Sequence, residues 1–372
     1  MSRSMRFSCP REVLYQGLQT VQRAVPSRST MPILSGILLE VRQGFLRLVA
    51  TDLELGIEVL LPVEVEAEGR TVLEARYLSE IVRRLPEGAP VAVEVEEGGG
   101  SAQLKAARVK YALRVMSAED YPELPQLEGE RLWKAKESDL RRMIRETSFA
   151  VAVEETRPFL TGVLLEMRGG EVAMAATDTS RLAVSKRGTL PGELEERLIV
   201  PVRSLNEVSR NLDEEGEREV LVSWTSSQIQ FKLPSLRLVS RLIDGQFPNY
   251  QQVIPSNYAV RLEVSRGELL SAIERVSVLA QGGTSVVQVD VKDGGIVLSA
   301  ESEVGRAEEE VAAAVEGEAM EISFNSRFLT DVLRVLECGA VGLEFTGQYS
   351  PAVVKPLGDP AYQYIVMPIR LR

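Results

Sequence analysis

Between residues 36 and 52 the chain alternates apolar and polar positions, turns at a glycine and alternates again: Ile37, Leu39 and Val41, then Leu46, Leu48 and Ala50 around Gly44. Alternation with period two puts one face of an extended segment in a core, so this stretch predicts a β-hairpin. The pattern returns 126 residues later in Val163, Leu165, Met167 and Val172, Met174, Ala176 around Gly170. It returns again after a further 124 residues in Val287, Val289, Val291 and Ile296, Leu298, Ala300 around Gly294. The first two copies end in Thr51-Asp52 and Thr177-Asp178, and the third loses the Thr-Asp pair. A period of this kind marks tandem copies of one unit.

Helical spacing flanks each hairpin. Apolar residues at i, i+3 and i+4 predict a first helix over 10–25 (Val13, Leu14, Leu18, Val21), 138–147 (Leu140, Met143, Ile144) and 266–281 (Leu269, Leu270, Ile273, Val276). A second is predicted over 76–85, 203–212 and 327–336, with Arg76, Arg203 and Arg327 in one register. Pro10 and Ser138 stand where helix starts are expected. Strand pairs follow the second helix, 91–95 with 108–115 in the first copy. Each copy closes on an aromatic and proline segment, at 120–122, 247–250 and 362–368. The expected fold is α+β, with three tandem domains at 1–127, 128–253 and 254–372, each with two helices packed on antiparallel sheets. Edges left open on the first and third copies would pair with a neighbour, so two chains joined head to tail would close a ring.

Composition narrows the chemistry. With 44% hydrophobic and 26% charged residues in 372, the chain reads as an ordinary globular protein. It has no histidine, which removes Ser-His-Asp and Cys-His nucleophilic chemistry and every His-ligated metal. Cys9 and Cys338 lie far apart, outside any C-x-x-C pattern, and are expected to be buried thiols. No GxxxxGK[ST] or GxGxxG motif occurs, so neither a cofactor nor a metal is expected. Apolar runs such as 56–65 are broken by Glu or Pro, and Met1 or Met5 leads straight into a strand-like segment without an apolar stretch of signal-peptide length. A cytoplasmic protein is therefore expected.

The net charge of −11 argues against nucleic acid until its placement is considered. The six helices together carry +5, which leaves −16 for everything else. A basic helical layer on an acidic body suits a duplex beside the helices, contacted through Arg76, Arg83, Arg84, Arg141, Arg142, Arg145, Arg203, Arg210, Arg275 and Arg334. Arginine is also a good helix former on solvated faces, which accounts for the count equally well. No aromatic interleaving suggests base stacking, so contact would be with phosphates and without sequence preference.

The segments 157–163 (Arg-Pro-Phe-Leu-Thr-Gly-Val), 176–183 (Ala-Thr-Asp-Thr-Ser-Arg-Leu-Ala), 247–250, 324–333 and the ending 367–371 (Met-Pro-Ile-Arg-Leu) resemble the bacterial sliding clamps, the beta subunits of DNA polymerase III, over the whole length and in order. The resemblance implies a non-catalytic homodimeric ring around duplex DNA that tethers the replicative polymerase. It also implies a pocket for short peptides of the DNA polymerase III alpha subunit, the clamp loader, other DNA polymerases and repair proteins. Carried over by motif, that pocket comprises Leu160, Thr177, Arg181, Leu182, Pro248, Val253, Asn325, Phe328, Tyr349, Pro351, Ile365, Val366, Met367, Pro368 and Arg370. Arg28 and Arg157 fall on loops resembling the DNA-side loops of the family. Thr179-Ser180 stands where the family commonly has Gly-His, Gln251-Gln252 where basic residues are common, and Arg372 extends the usual ending. For the ring joint, Arg108, Lys110, Tyr111 and Arg114 offer a basic strand, and Glu308, Glu309, Glu310 and Leu279 an acidic and apolar counterpart.

Other readings of the same residues stay open at this point. Thr51-Asp52 and Thr177-Asp178 suit turn capping better than carboxylate catalysis. Without the resemblance, Met367-Pro368 would close a core and 308–310 would be a solvated turn. A scaffold of repeats that never meets nucleic acid would show no retention on circular DNA. A metal-dependent hydrolase using Asp and Glu ligands would lose turnover on replacing Asp52 and Asp178.

Overall fold

The computed structural model describes residues 4–96, 98, 100–127, 131–154, 156–190, 194–280 and 285–370. Met1, the boundary residue 128, Gln281 at the end of an expected helix, and Leu371 and Arg372 lie outside the described residues.

The first copy contains β1 (Met5–Pro10), α1 (Arg11–Val21), β2 (Gly36–Arg42), β3 (Phe45–Thr51), β4 (Leu55–Pro62), β5 (Glu64–Ala67), β6 (Gly69–Glu74), α2 (Ala75–Arg84), β7 (Pro90–Val95), β8 (Ser101–Ala106) and β9 (Val109–Met116). The second contains β10 (Leu132–Lys136), α3 (Glu137–Thr147), β11 (Gly162–Arg168), β12 (Glu171–Thr177), β13 (Arg181–Thr189), β14 (Glu196–Pro201), α4 (Val202–Arg210), β15 (Glu219–Trp224), β16 (Gln228–Lys232) and β17 (Leu236–Arg241). The third contains β18 (Val260–Ser265), α5 (Arg266–Val276), β19 (Val286–Lys292), β20 (Gly295–Ser302), β21 (Gly305–Glu316), β22 (Met320–Asn325), α6 (Ser326–Val335), β23 (Ala340–Phe345), β24 (Ala352–Pro356) and β25 (Tyr362–Val366). Apart from the extra β5, the order is the same three times: strand, helix, four strands, helix, three strands.

Packing repeats as faithfully as order does. The first helix of each copy lies on the equivalent strands, α1 on β3 and β4, α3 on β12 and β13, α5 on β20 and β21, and each pairs with the second helix of its copy. Of the stripe expected from helical spacing, Leu14, Leu18 and Val21, then Leu140, Met143 and Ile144, then Leu269, Ile273 and Val276 are buried, while Val13 and Leu270 are half-buried. Each of the buried side chains contributes about 1.5–3 kcal/mol by leaving water. Gly17 lets α1 approach closely, because a Cβ there would sit 2.6 Å from Leu61 Cδ1. The hairpin glycines Gly44, Gly170 and Gly294 all adopt φ near +80°, the conformation the tight turn requires.

The chain divides into two compact units, Met1–Ala135 with Arg218–Leu242 and Lys136–Glu217 with Ile243–Arg372. The division cuts the second copy because β17 pairs with β4, so β15–β17 extend the sheet of the first copy. That sheet has thirteen strands in the order β10-β15-β16-β17-β4-β3-β2-β6-β9-β8-β7-β1-β5. In the other unit β13 pairs with β25, and a twelve-stranded sheet runs β14-β11-β12-β13-β25-β24-β23-β18-β21-β20-β19-β22.

Three expectations need correction, and one alternative reading falls. Ser138 does not cap α3, which starts one residue earlier after Lys136; Glu137 is buried instead and accepts the Asp213 amide. Residues 91–95 pair not with 108–115 but with the intervening β8, whose weak alternation of Ala102, Leu104 and Ala106 gave little signal. Cys9 is buried, which pushes its thiol pKa up to about 12, whereas Cys338 is only half-buried. Glu308–Glu310 is no turn: it lies in β21, paired with Val297, Leu298 and Ser299 of β20.

Candidate functional site

Two Thr-Asp turns shape the surface near β4 and β13. Thr51 Oγ1 donates to the Leu55 carbonyl oxygen at 3.0 Å and accepts from the Leu53 amide, while Asp52 Oδ1 accepts from the amides of Glu54 and Leu55. The network recurs 126 residues later. Thr177 Oγ1 donates to the Arg181 carbonyl oxygen and accepts from the Thr179 amide, and Asp178 Oδ1 accepts from Ser180 and Arg181. Both pairs are spent on turn geometry, as the capping reading expects. Each turn forces a non-glycine residue to positive φ, Leu53 at 76° and Thr179 at 80°.

Beside the second turn lies a cavity of about 240 Å³, lined by Thr177, Thr179, Ser180, Arg181, Leu182, Pro248, Asn249, Tyr250, Val253, Pro351, Ile365 and Met367. Strands β13 and β25 build its floor, with Leu182 opposite Ile365, and the Met367 amide donates to the Ser180 carbonyl oxygen at 2.9 Å. Tyr250 is fixed by donating its hydroxyl to Glu166 Oε2 at 2.6 Å. Arg181 is pinned from several sides: Nε donates to Asp178, Nη1 to Asp331 Oδ2 at 2.6 Å, and Nη2 to the Phe149 carbonyl oxygen, with the guanidinium over the Phe149 and Phe328 rings. Burial alone would lower its pKa, but Tyr364 and the two carboxylates outweigh that and raise it. Arg181 is therefore a charged wall held from several sides.

The lining takes in eight of the residues expected from sequence. The rest fall behind or beside it. Leu160 is buried under the floor with Leu182, Phe247 and Ile365. Asn325 caps α6 by accepting from the Arg327 amide. Phe328 backs Arg181, and Val366 is buried in β25. Tyr349, 55% exposed, carries Arg370 over its ring at 5.2 Å, and Pro368 is half-buried beside exposed Met367. Sequence reasoning missed Thr179, Ser180, Asn249 and Tyr250 as lining. Position-by-position comparison of the copies would have found Tyr250, which occupies the place of Leu124 in the first copy. There Leu124 fills the equivalent space: a Cβ on Gly56, the counterpart of Leu182, would meet Leu124 Cδ2 at 2.3 Å. Leucine for glycine on the strand, and a tethered tyrosine for a folded-in leucine, make the cavity.

The arginines expected beside a duplex are mostly engaged. Arg83 and Arg84 both pair with Glu80, Arg141 with Glu214, Arg145 with Glu214 and Glu337, Arg210 with Glu207, and Arg334 with Glu274. Arg142 is half-buried between Glu146 and Asp359, and Arg275 turns to Glu309 of β21 at 2.9 Å. Arg203 is exposed at the start of α4. Arg28, Arg76 and Arg157 are exposed and make no ion pair among the described residues. Among the residues expected at a joint, Lys110, Tyr111 and Arg114 are exposed on β9, Arg108 immediately precedes it, and Glu308 and Glu310 are exposed on β21. Leu279 lies next to Gly305 at the start of that strand.

Sequence models of the DNA polymerase III beta subunit match the N-terminal domain at residues 5–125, the central domain at 134–249 and the C-terminal domain at 251–370. The chain belongs to this family. It is 32% identical to the beta sliding clamp of Staphylococcus aureus over 98% of its own length and 99% of that protein's. To the clamp of Synechococcus elongatus it is 35% identical over 99% and 100%. Among solved structures, the Bacillus subtilis sliding clamp superposes with a TM-score of 0.93 at 33% identity, and the Pseudomonas aeruginosa clamp bound to griselimycin with 0.94 at 32%; each comparison covers 99% of this chain and 100% of the other. As a beta sliding clamp the chain is a non-catalytic processivity factor of DNA replication that works with DNA and polymerase, which disposes of the hydrolase reading. No helix among the described residues is long and apolar enough to cross a membrane.

Proposed function

We propose that two copies of this sliding clamp join head to tail into a closed ring around duplex DNA, through three domains per chain at 1–127, 128–253 and 254–372. The observation that carries this reading is a shared register. In β4 and β17, Leu55 faces Ser240 and Glu58 faces Arg237; in β13 and β25, Arg181 faces Val366 and Val184 faces Gln363. Both seams superpose when 126 is added to every residue number. The third copy's equivalent of β4 and β13 is β21, and the first copy's equivalent of β17 and β25 is β9. On these strands one side of 305–312 and one side of 109–114 have no partner strand among the described residues. Carrying the register over sets Gly305 opposite Leu113, Ala307 opposite Tyr111, and Glu308 opposite Lys110, with Glu310 beside Arg108. The ion pair of Glu58 and Arg237 thus recurs as Glu308 and Lys110 between two chains.

The cavity beside β13 is the docking site for short segments of the polymerase alpha subunit, the clamp loader, other polymerases and repair proteins. Apolar side chains fit between Leu182, Ile365, Val253 and Met367, with Arg181 and the neighbouring hydroxyls for a polar handle. The helices and the loops carrying Arg28 and Arg157 line the duplex without reading its sequence. Retention decides the ring: once loaded, the clamp stays on circular duplex and leaves when the circle is cut. Equal retention on linear and circular DNA would overturn the reading.

A further inference from the structure

A helical layer with a net charge of +5 should grip DNA rather than slide on it. By counterion release, five phosphate contacts weaken binding by about 500-fold between 50 and 200 mM salt, and two contacts by about 12-fold. The ion pairs determine which regime applies. Among the described residues, at least eight of the twelve arginines expected to face DNA are within ion-pair distance of a carboxylate in their own chain. Four of the carboxylates they meet, Glu214, Glu309, Glu337 and Asp359, come from outside the helices, and counting them, together with Arg187 of β13 that shares Asp359, lowers +5 to +2. Two further helix arginines are spent on carbonyls. Arg11 donates to the Val82 and Arg83 oxygens at the end of α2, and Arg266 to Leu333 and Cys338 at the end of α6. Cations at helix C-termini satisfy the last carbonyls and the dipole, so these two serve the fold.

We infer that the carboxylates on and beside the helices, above all Glu80, Glu274 and Glu337, act as built-in counterions that weaken the clamp's hold on phosphate and so keep it mobile on the duplex. The inference rests on the proposed placement of DNA along the helices. Each is exposed, with 43%, 44% and 56% of its side chain open, so the pairs add little to folding and can be removed without opening the core. Glu80 alone bridges two arginines, at 2.8 and 2.6 Å, and cancels one of their two charges. Hydrogen bonds from Arg83 and Arg84 hold its pKa down to about 2, so it stays charged throughout the physiological range. Glu337 is held below its ordinary value by Arg145. A phosphate that approaches these arginines must displace a carboxylate already there, which leaves little net gain.

The test is the triple variant Glu80→Gln, Glu274→Gln, Glu337→Gln in the full-length clamp. Glu171→Gln, Glu263→Gln, Glu318→Gln, which removes the same charge from exposed strand and turn positions, is the control. Binding to a short linear duplex is titrated from 50 to 200 mM salt, and diffusion along circular duplex is followed after loading. The helix triple should steepen the log–log salt slope by about 2.7 and slow diffusion, with the melting temperature and dimer unchanged, while the control moves neither. An unchanged slope in the helix triple, or an equal change in the control, overturns the inference. Retention of the unmodified clamp on circles, read in the same assay, tests the ring itself, so the two failures are told apart.

Discussion

Replacing Arg237 by alanine tests how the seam between β4 and β17 is held. Arg237 is 8% exposed; its Nη2 lies 2.9 Å from Glu58 Oε2, and Nη1 donates to the Pro125 carbonyl oxygen at 2.7 Å. Glu58 also receives Arg47 Nε at 2.7 Å. Burial alone would raise the Glu58 pKa, but hydrogen bonds from Arg237 and Arg47 outweigh it and hold the carboxyl below its usual range. Breaking a buried pair from one side costs about 3–5 kcal/mol, and because Arg47 remains the cost should fall at the lower end, about 3 kcal/mol. In a unit of this size about 1 kcal/mol moves Tm by about 2–4 °C, so calorimetry should show the transition of this unit falling by about 6–12 °C. Replacing both partners, Glu58→Leu with Arg237→Leu, should recover most of the loss, since Arg47 keeps Glu40 at 2.7 Å and no charge is stranded. The pH dependence has a definite sign. A lowered folded pKa stabilises above the unfolded carboxylate value, and that contribution is lost as pH falls through the folded value, so the deficit of Arg237→Ala should shrink in acid. A fall below about 2 °C, or a double leucine variant as unstable as the alanine, would refute the reasoning.

Met367→Ala with Leu182→Ala should weaken binding of polymerase-derived peptides at least about tenfold in fluorescence anisotropy while sedimentation still shows the dimer; unchanged affinity would discard the cavity as the docking site. Thr179→Gly should raise the melting temperature by about 1–3 °C, because a β-branched residue at φ 80° carries strain of about 1–2 kcal/mol that glycine partly relieves, and a lower melting temperature would count against strain at that turn. Lys110→Glu should weaken the dimer in analytical ultracentrifugation and Glu308→Lys should restore it; failure of the second change to rescue the first would mean that the seam between chains does not share the register of the two inner ones.

The hairpins were legible because each has one buried face, so Ile37, Leu39 and Val41 announce themselves by period alone. The seams were not, because Glu58 and Arg237 meet across 179 positions and leave no local pattern. The charge of the helices was counted correctly and still misled. Glu214, Glu309, Glu337 and Asp359 lie outside the helical stretches and are brought to arginines only by folding. Without the resemblance, three consecutive glutamates would have been a solvated turn. In β21 they alternate, with Glu308 and Glu310 exposed on one side and Glu309 turned to Arg275 on the other, which satisfies a strand as well as any apolar pattern does.

One register position shows how identical folds acquire different roles. On β4 it holds Gly56, and the missing side chain lets Leu124 fold over the strand and seal the first copy. On β13 it holds Leu182, which cannot be covered in that way, and with Tyr250 tied to Glu166 a cavity of about 240 Å³ stays open. On β21 it holds Arg306, exposed and paired with Glu308 at 2.9 Å, where an apolar side chain on an edge without a partner strand would invite indiscriminate pairing. These three places are equivalent in strand order. Side-chain volume seals the first and leaves the second open to an apolar ligand, while at the third a charged side chain tied to Glu308 keeps the edge polar.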